Sequence, residues 1–208
     1  MLQHARRLYQ RPGVCFEHHD IENGDPYAIL HNYGPFDHAF AFLTFHFVHD
    51  LNKGYRNLYC LLKDGGECLT VNFTRTGITD VWHRLYRKQE WRTYMPDLRS
   101  MFADRFCFDK PVPEEELISL EERAVTSAGL ELISCRTYQS QWVLQNVRAC
   151  IDLYMPLFKL DAKVPKEKKS EFLDACRSTI LEVSVTTTEH ITFNYDIIVT
   201  HSQKHDTQ

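Results

Sequence analysis

The sequence predicts an α/β fold built on a mostly parallel sheet, and three observations carry that reading. An apolar run, Phe36-Asp37-His38-Ala39-Phe40-Ala41-Phe42, has strand composition. A helix of about a dozen residues follows and ends at Leu61-Leu62-Lys63-Asp64-Gly65-Gly66, and a second β-rich run, Glu67 to Phe73, begins at once. Strand, helix and strand in that order form a βαβ unit, so the two strands are expected to be parallel neighbours. In open parallel sheets ligands bind beyond the carboxyl ends of the strands, which places the candidate site just after Phe42.

Composition narrows the class. The chain of 208 residues suits one α/β domain with a sizeable core, and 43% apolar residues are too many for a disordered chain. Lys and Arg number 24 against 28 Asp and Glu, a formal charge of -4 that argues against nucleic acid or anionic membrane as partner. Charges interrupt every apolar run well before the roughly 18 residues that a membrane span requires. The seven cysteines include no CxxC pair, and several lie within apolar runs, so reduced thiols and a cytoplasmic setting are expected.

The remaining elements read in order. Leu2 to Tyr9 is helical and is broken by Pro12-Gly13; Val14 to His18 reads as a short strand, and Gly24-Asp25-Pro26 opens a loop and a short helix. Thr79 to Glu90 has helical spacing at Val81, Trp82, Leu85 and Tyr86, and Asp97 to Phe106 reads as a second helix. Glu114-Glu115-Glu116 after Pro113 starts a helix that stops at Gly129. Leu130 to Tyr138 alternates like a strand, and Ser140 is placed to cap a helix through Trp142 and Ile151 that Pro156 ends. Another helix begins in the charged stretch Lys163 to Glu171, which reads as a solvated face. Ile191 to His201 is the last strand, with a loose tail from Gln203.

The ordered set resembles the class I S-adenosylmethionine-dependent methyltransferases. Within them, Phe36 to Phe42 followed by Phe45-His46-Phe47-Val48-His49-Asp50, the Leu-Lys-x-Gly-Gly of Leu62 to Gly66, and Trp91-Arg92-Thr93-Tyr94-Met95 resemble the arthropod juvenile hormone acid O-methyltransferases. The resemblance covers essentially the whole chain. It implies a three-layer, Rossmann-like sheet of order 3-2-1-4-5-7-6, mostly parallel with an antiparallel last strand. The first two strands and the glycine-rich cofactor loop have no counterpart here. The expectation is a single, incomplete, N-terminally truncated domain over residues 1–208, with 74–128 and 140–188 as helical segments covering the substrate.

The same resemblance implies the site. Asp20 would accept from the adenine amino group of S-adenosylmethionine while Ile21 packs on the ring; alternatively Asp20 caps a turn. Phe42, Leu43 and Thr44 would line the cofactor's methionine half, although Phe42 reads equally as core. His46 and Phe47 occupy the catalytic "His-Trp" position, where Phe47 keeps a ring but has no N–H to donate to a carboxylate. Trp82, Tyr86 and Trp142, with Trp91, Tyr94, Phe102, Phe106 and Phe108 nearby, would cover an apolar tail; an aromatic stripe at helical spacing also reads as ordinary core. No metal is expected, since His18-His19 and His46-x-x-His49 lack a completing cluster. The implied activity is O-methylation of an isoprenoid or fatty-acid-like carboxylate such as farnesoic acid. The alternatives are a non-catalytic homologue binding an apolar ligand or partner protein, and a methyltransferase for another small molecule.

Overall fold

The computed structural model describes residues 2–106, 112–158, 160, 163–187 and 190–205. Helix α1 covers Leu2–Tyr9 and α2 covers Pro26–Tyr33. The Asp25 carboxylate accepts the Tyr27 N–H at the start of α2, Pro26 supplies a helix-ready φ, and Gly34 at φ 72° ends it. Strand β1 is Phe36–Phe42, helix α3 Leu51–Leu61 and strand β2 Leu62–Thr76. Asp50 caps α3 through the Lys53 N–H, and Leu51, Tyr55, Leu58 and Leu61 form its buried stripe. Then come α4 (Gly77–Tyr86), α5 (Gln89–Arg92), α6 (Glu114–Ser127) and β3 (Leu130–Leu144). The chain continues with α7 (Val147–Leu157), α8 (Lys169–Val183), the two-residue β4 (Val185–Thr186) and β5 (Ile191–Lys204).

The sheet order is β1-β2-β5-β3, with β4 beside the start of β5. Strands β1 and β2 are parallel, as the βαβ reading requires, and β5 runs against β2 and β3. This is the expected 4-5-7-6 part of the strand order, with its antiparallel last strand.

Two cores flank that sheet. One, between the sheet and α3 and α6, contains Phe45, Tyr55, Leu58, Cys68, Val125 and Leu130. The other joins α4, α5, α7 and α8 to the end of the sheet around Trp82, Leu85, Tyr154, Phe158, Phe172 and Phe193.

Several expectations from local sequence are corrected. Val14–His18 forms no strand; Val14 makes an isolated bridge to Arg11. The double glycine does not stop α3. It lies inside β2, where the register slips between Phe36↔Leu62 and His38↔Glu67; Gly65 has φ 74°, and a Cβ on Gly66 would stand 2.8 Å from the Lys63 carbonyl. The helix expected over 79–90 is divided into α4 and α5, and 97–106 gives two single 3₁₀ turns, Leu98–Ser100 and Asp104–Phe106. Ser140 caps nothing: pairing with β5 carries β3 on to Leu144, and Asn146 caps α7 by accepting the Ala149 N–H. Pro156 lies within α7 near its end. Gln203 and Lys204 belong to β5, and the Lys204 ammonium donates to the Leu62 carbonyl at 3.0 Å. Gly129 ends α6 in the left-handed region at φ 89°, as expected.

Candidate functional site

The βαβ unit delivers the chain to one tightly held turn. At the carboxyl end of β1, Leu43 has φ 52°, the only positive φ of a non-glycine residue among the described residues. A leucine in that region is strained by its own Cβ. Strain of this kind persists where surrounding bonds over-determine the backbone, and they do here. The Leu43 N–H donates to the Val71 carbonyl at 2.7 Å, the Thr44 hydroxyl to the Phe42 carbonyl at 3.1 Å, and the Phe45 N–H to Asn72 Oδ1 at 2.7 Å. The next residues form a 3₁₀ turn, Phe45–Phe47. Arg105 donates to the carbonyls of Phe45 and Val48, and the His46 carbonyl accepts the Ala103 N–H at 2.9 Å.

That turn buries His46, 4% exposed, inside a cage of rings. Phe47 is 4.3 Å away by ring centroids, Phe106 5.3 Å, Phe73 5.4 Å and Phe102 5.9 Å. Burial among apolar rings, reinforced by the Arg105 guanidinium, lowers the imidazole to about 4. His46 is therefore neutral at pH 7, and its Nδ1 has no hydrogen-bond partner. Phe47 is 42% exposed and stacks on Phe102 at 5.0 Å. Phe42, Leu43 and Thr44 are exposed, so Phe42 is not core.

Asp20 and Ile21 come to the same end of the fold. Asn57 of α3 donates to the Ile21 carbonyl at 2.8 Å, and the Glu22 carboxylate accepts the N–H groups of His49 and Asp50, both at 3.0 Å. Asp20 caps its own turn, with Oδ1 accepting from the Glu22 and Asn23 N–H groups; these bonds hold its carboxyl below the usual range. The capping reading is thus realised. The exposed Oδ2 has a long 3.4 Å contact from the Asn23 amide and spare acceptor capacity.

The residues expected against an apolar tail divide. Trp142 is half-buried, with its ring 6.4 Å from that of Phe73, which in turn contacts His46. Trp82 is only 1% exposed and packs on Phe158 at 4.5 Å, so it belongs to the core here and offers no open wall. Tyr86 is half-buried and carries the Arg92 guanidinium 5.0 Å above its ring. Phe108 lies outside the described residues. A relay of rings nevertheless connects the two groups, from Phe47 through Phe102 to Phe158 and Trp82. A cavity of about 600 Å³ lies beside Arg75, Asp80, Gln141 and Asn194, and an open one of about 660 Å³ adjoins the turn beside His49, Asp50, Arg105 and Arg123. Among the described residues, no three His, Cys, Asp or Glu side chains stand together as a metal site.

Sequence reading missed the residues that hold the turn: Glu22, Asn72 and Arg105. Glu22 alone had a signal, its place beside Asp20. Behind the turn it also missed a buried polar group in which the Tyr55 hydroxyl donates to Glu121 and accepts from Thr70 at 3.0 Å. Burial raises the Glu121 carboxyl despite the bond from Tyr55 and the nearby Arg105 charge.

Comparison with known proteins agrees with this architecture. A methyltransferase-domain family model matches residues 1–70. Juvenile hormone acid O-methyltransferase of Bombyx mori is 28% identical over 219 aligned positions, covering 98% of this chain and 72% of that protein. The Drosophila melanogaster protein of the same name is 25% identical, over 68% of this chain and 46% of its own length. In structure, a Bacillus halodurans protein assigned as a methyltransferase aligns with TM-score 0.52 at 16% identity, covering 98% of this chain and 78% of that one. In sequence and fold the chain resembles the class I S-adenosylmethionine-dependent methyltransferases.

Proposed function

We propose that this chain is a methyltransferase that uses S-adenosylmethionine to methylate an oxygen of an apolar carboxylic acid of isoprenoid or fatty-acid type. The observation that carries the reading is the strained Leu43 turn, held by Val71, Asn72 and Arg105 at the carboxyl end of β1, directly before the caged His46 and the exposed Phe47. Strained backbone concentrates where ligands are clamped. Similarity to the two insect acid methyltransferases supports the substrate class.

The residues present fit part of the cofactor. Asp20 Oδ2, which accepts only a long bond from the Asn23 amide and has spare acceptor capacity, suits an exocyclic amine, and the half-buried Ile21 suits one face of a base. The exposed backbone and side chains of Phe42 to Thr44 stand at the strand ends where its reactive part would lie. No glycine-rich loop lies among the described residues to cradle an amino-acid carboxylate. When bound, S-adenosylmethionine supplies a methyl group on a positively charged sulfur.

The rest is the work of the chain. A carboxylic acid is ionised at neutral pH, so no strong base is needed and alignment dominates. The neutral His46 imidazole, with its Nδ1 shielded from solvent, backs the Phe47 ring and shapes the pocket by packing. The stacked rings of Phe47 and Phe102 exclude water, and Phe73 with Trp142 extends the apolar wall.

Binding of radiolabelled S-adenosylmethionine, followed by methyl transfer to farnesoic acid, tests this. Saturable binding with turnover is the expected result, and Phe47→Trp should raise turnover about tenfold by restoring an indole donor. Absence of binding overturns the cofactor assignment. Binding without turnover, unaltered by Phe47→Trp, favours the non-catalytic ligand-binding reading, which the missing donor at Phe47 supports.

A further inference from the structure

Behind the Leu43–Phe47 turn lies a polar junction to which β2, α6 and the 3₁₀ turn Asp104–Phe106 each bring one side chain. Asn72 of β2 is 3% exposed. Its Oδ1 accepts the Phe45 N–H at 2.7 Å, which leaves its amide Nδ2 buried and without a hydrogen-bond partner. Glu121 of α6 is 4% exposed; its Oε2 accepts the Tyr55 hydroxyl, and the carboxylate keeps further acceptor capacity. Arg105 donates to the Phe45 and Val48 carbonyls, two bonds that do not exhaust the five N–H groups of a guanidinium. All three line one cavity of about 10 Å³, walled otherwise mainly by Phe73, Leu117, Leu120 and Ile198. Burial raises the Glu121 carboxyl, while the Tyr55 hydroxyl and the Arg105 charge favour its ionised form.

A volume of that size admits one occupant no larger than water. The lining decides its chemistry. A cation meets the Arg105 guanidinium and the Asn72 amide hydrogens, and an anion meets the Glu121 carboxylate. Water accepts from the first two and donates to the third, so it alone suits every wall.

We infer that this cavity holds one ordered water accepting from Asn72 Nδ2 and donating to Glu121, and that Glu121 is thereby a positioning residue for the Leu43–Phe47 turn. This gives a role to a buried acid that the methyl-transfer reading leaves unused. It rests on that reading only in taking the turn as part of the site. The water sets which way the amide faces. Rotated by half a turn, Asn72 would present Nδ2 to the Phe45 N–H, donor against donor. With a carboxylate-bound water behind it, the amide keeps its hydrogens there and its oxygen on Phe45. Glu121 also supplies negative charge near Arg105, whose bonds fix the Phe45 and Val48 carbonyls. Both ties on the segment that carries His46 and Phe47 thus converge on one carboxylate.

Crystallography and amide hydrogen exchange on the full chain test the inference, and neither needs cofactor. A high-resolution crystal structure should show a water within about 3.2 Å of both Asn72 Nδ2 and a Glu121 oxygen. Glu121→Gln removes the charge with little change of volume. Exchange of the Phe45 amide hydrogen should then quicken at least about tenfold relative to that of Leu58, a residue of the same core. A purely structural role would quicken both together. Thr70→Val, which removes the other partner of the Tyr55 hydroxyl, should leave the Phe45-to-Leu58 ratio at its native value. If Glu121→Gln fails to fold, the native crystal structure still decides. An Asn72 amide turned the other way, or no water between Asn72 and Glu121, overturns the inference. So does a ratio unchanged in Glu121→Gln, or altered equally by Thr70→Val. Failure to bind S-adenosylmethionine would overturn the cofactor assignment alone, because the water and the exchange ratio are read without it.

Discussion

Leu43 and His46 show how single residues near the strand end are set by their surroundings. A left-handed leucine is strained by about 1 kcal/mol, and glycine there would relieve this while losing about 0.5–1 kcal/mol in unfolded-chain entropy. The two nearly cancel. Leu43→Gly should thus leave the unfolding free energy measured in urea within about 0.5 kcal/mol of wild type, while Leu58→Gly, in the buried stripe of α3, should cost several kcal/mol. His46 gives a pH signature. Its folded value of about 4 lies below the usual 6.5, so between those values the unfolded chain binds more protons. This contribution is fully present above pH 6.5 and is lost as the pH falls towards 4, amounting to about 2 kcal/mol at pH 5. Urea unfolding at pH 7 and pH 5 should show that loss, and His46→Phe should flatten it. An equally steep pH dependence in the variant would assign the effect to other groups.

At the scale of elements, caps and pairing compete for the same residues. Ser140 is a sound cap by type, yet β3 continues through it because each added residue gains a ladder partner on β5, from Ser140↔Tyr195 to Leu144↔Ile191. Asn146 then takes the capping role for α7. Asn146→Ala should lower stability by about 1 kcal/mol, whereas exposed Ser140→Ala should change it by less than about 0.5 kcal/mol; thermal unfolding separates them. The double glycine teaches a similar point. It reads as a helix stop, but Leu62 already has a strand partner in Phe36, so the glycines absorb a bulge instead.

For the molecule as a whole, β2 and β3 contribute to both cores, through Cys68 and Leu130 on one side and Phe73, Trp142 and Leu144 on the other, and this ties the α3–α6 layer to the helices around Trp82. Trp82→Ala should cost about 3–5 kcal/mol through the cavity among Tyr86, Tyr154 and Phe158. It should do so in a single transition seen alike by circular dichroism and fluorescence; two separate transitions would show that the cores unfold independently.

Fold class and the parallel β1–β2 pair were legible in the chain from hydrophobic period and connection length, and the antiparallel direction of β5 followed from the family resemblance. His46 and Phe47 were legible only as a motif. What fixes their positions lies in residues distant along the chain: Asn72 holding Phe45, Arg105 holding the Phe45 and Val48 carbonyls, and Phe102 and Phe106 closing the cage. The length of β3, the demotion of Val14–His18 and the burial of Trp82 were likewise decided in three dimensions. Each depends on whether a partner strand or helix lies within reach, and no local pattern encodes that.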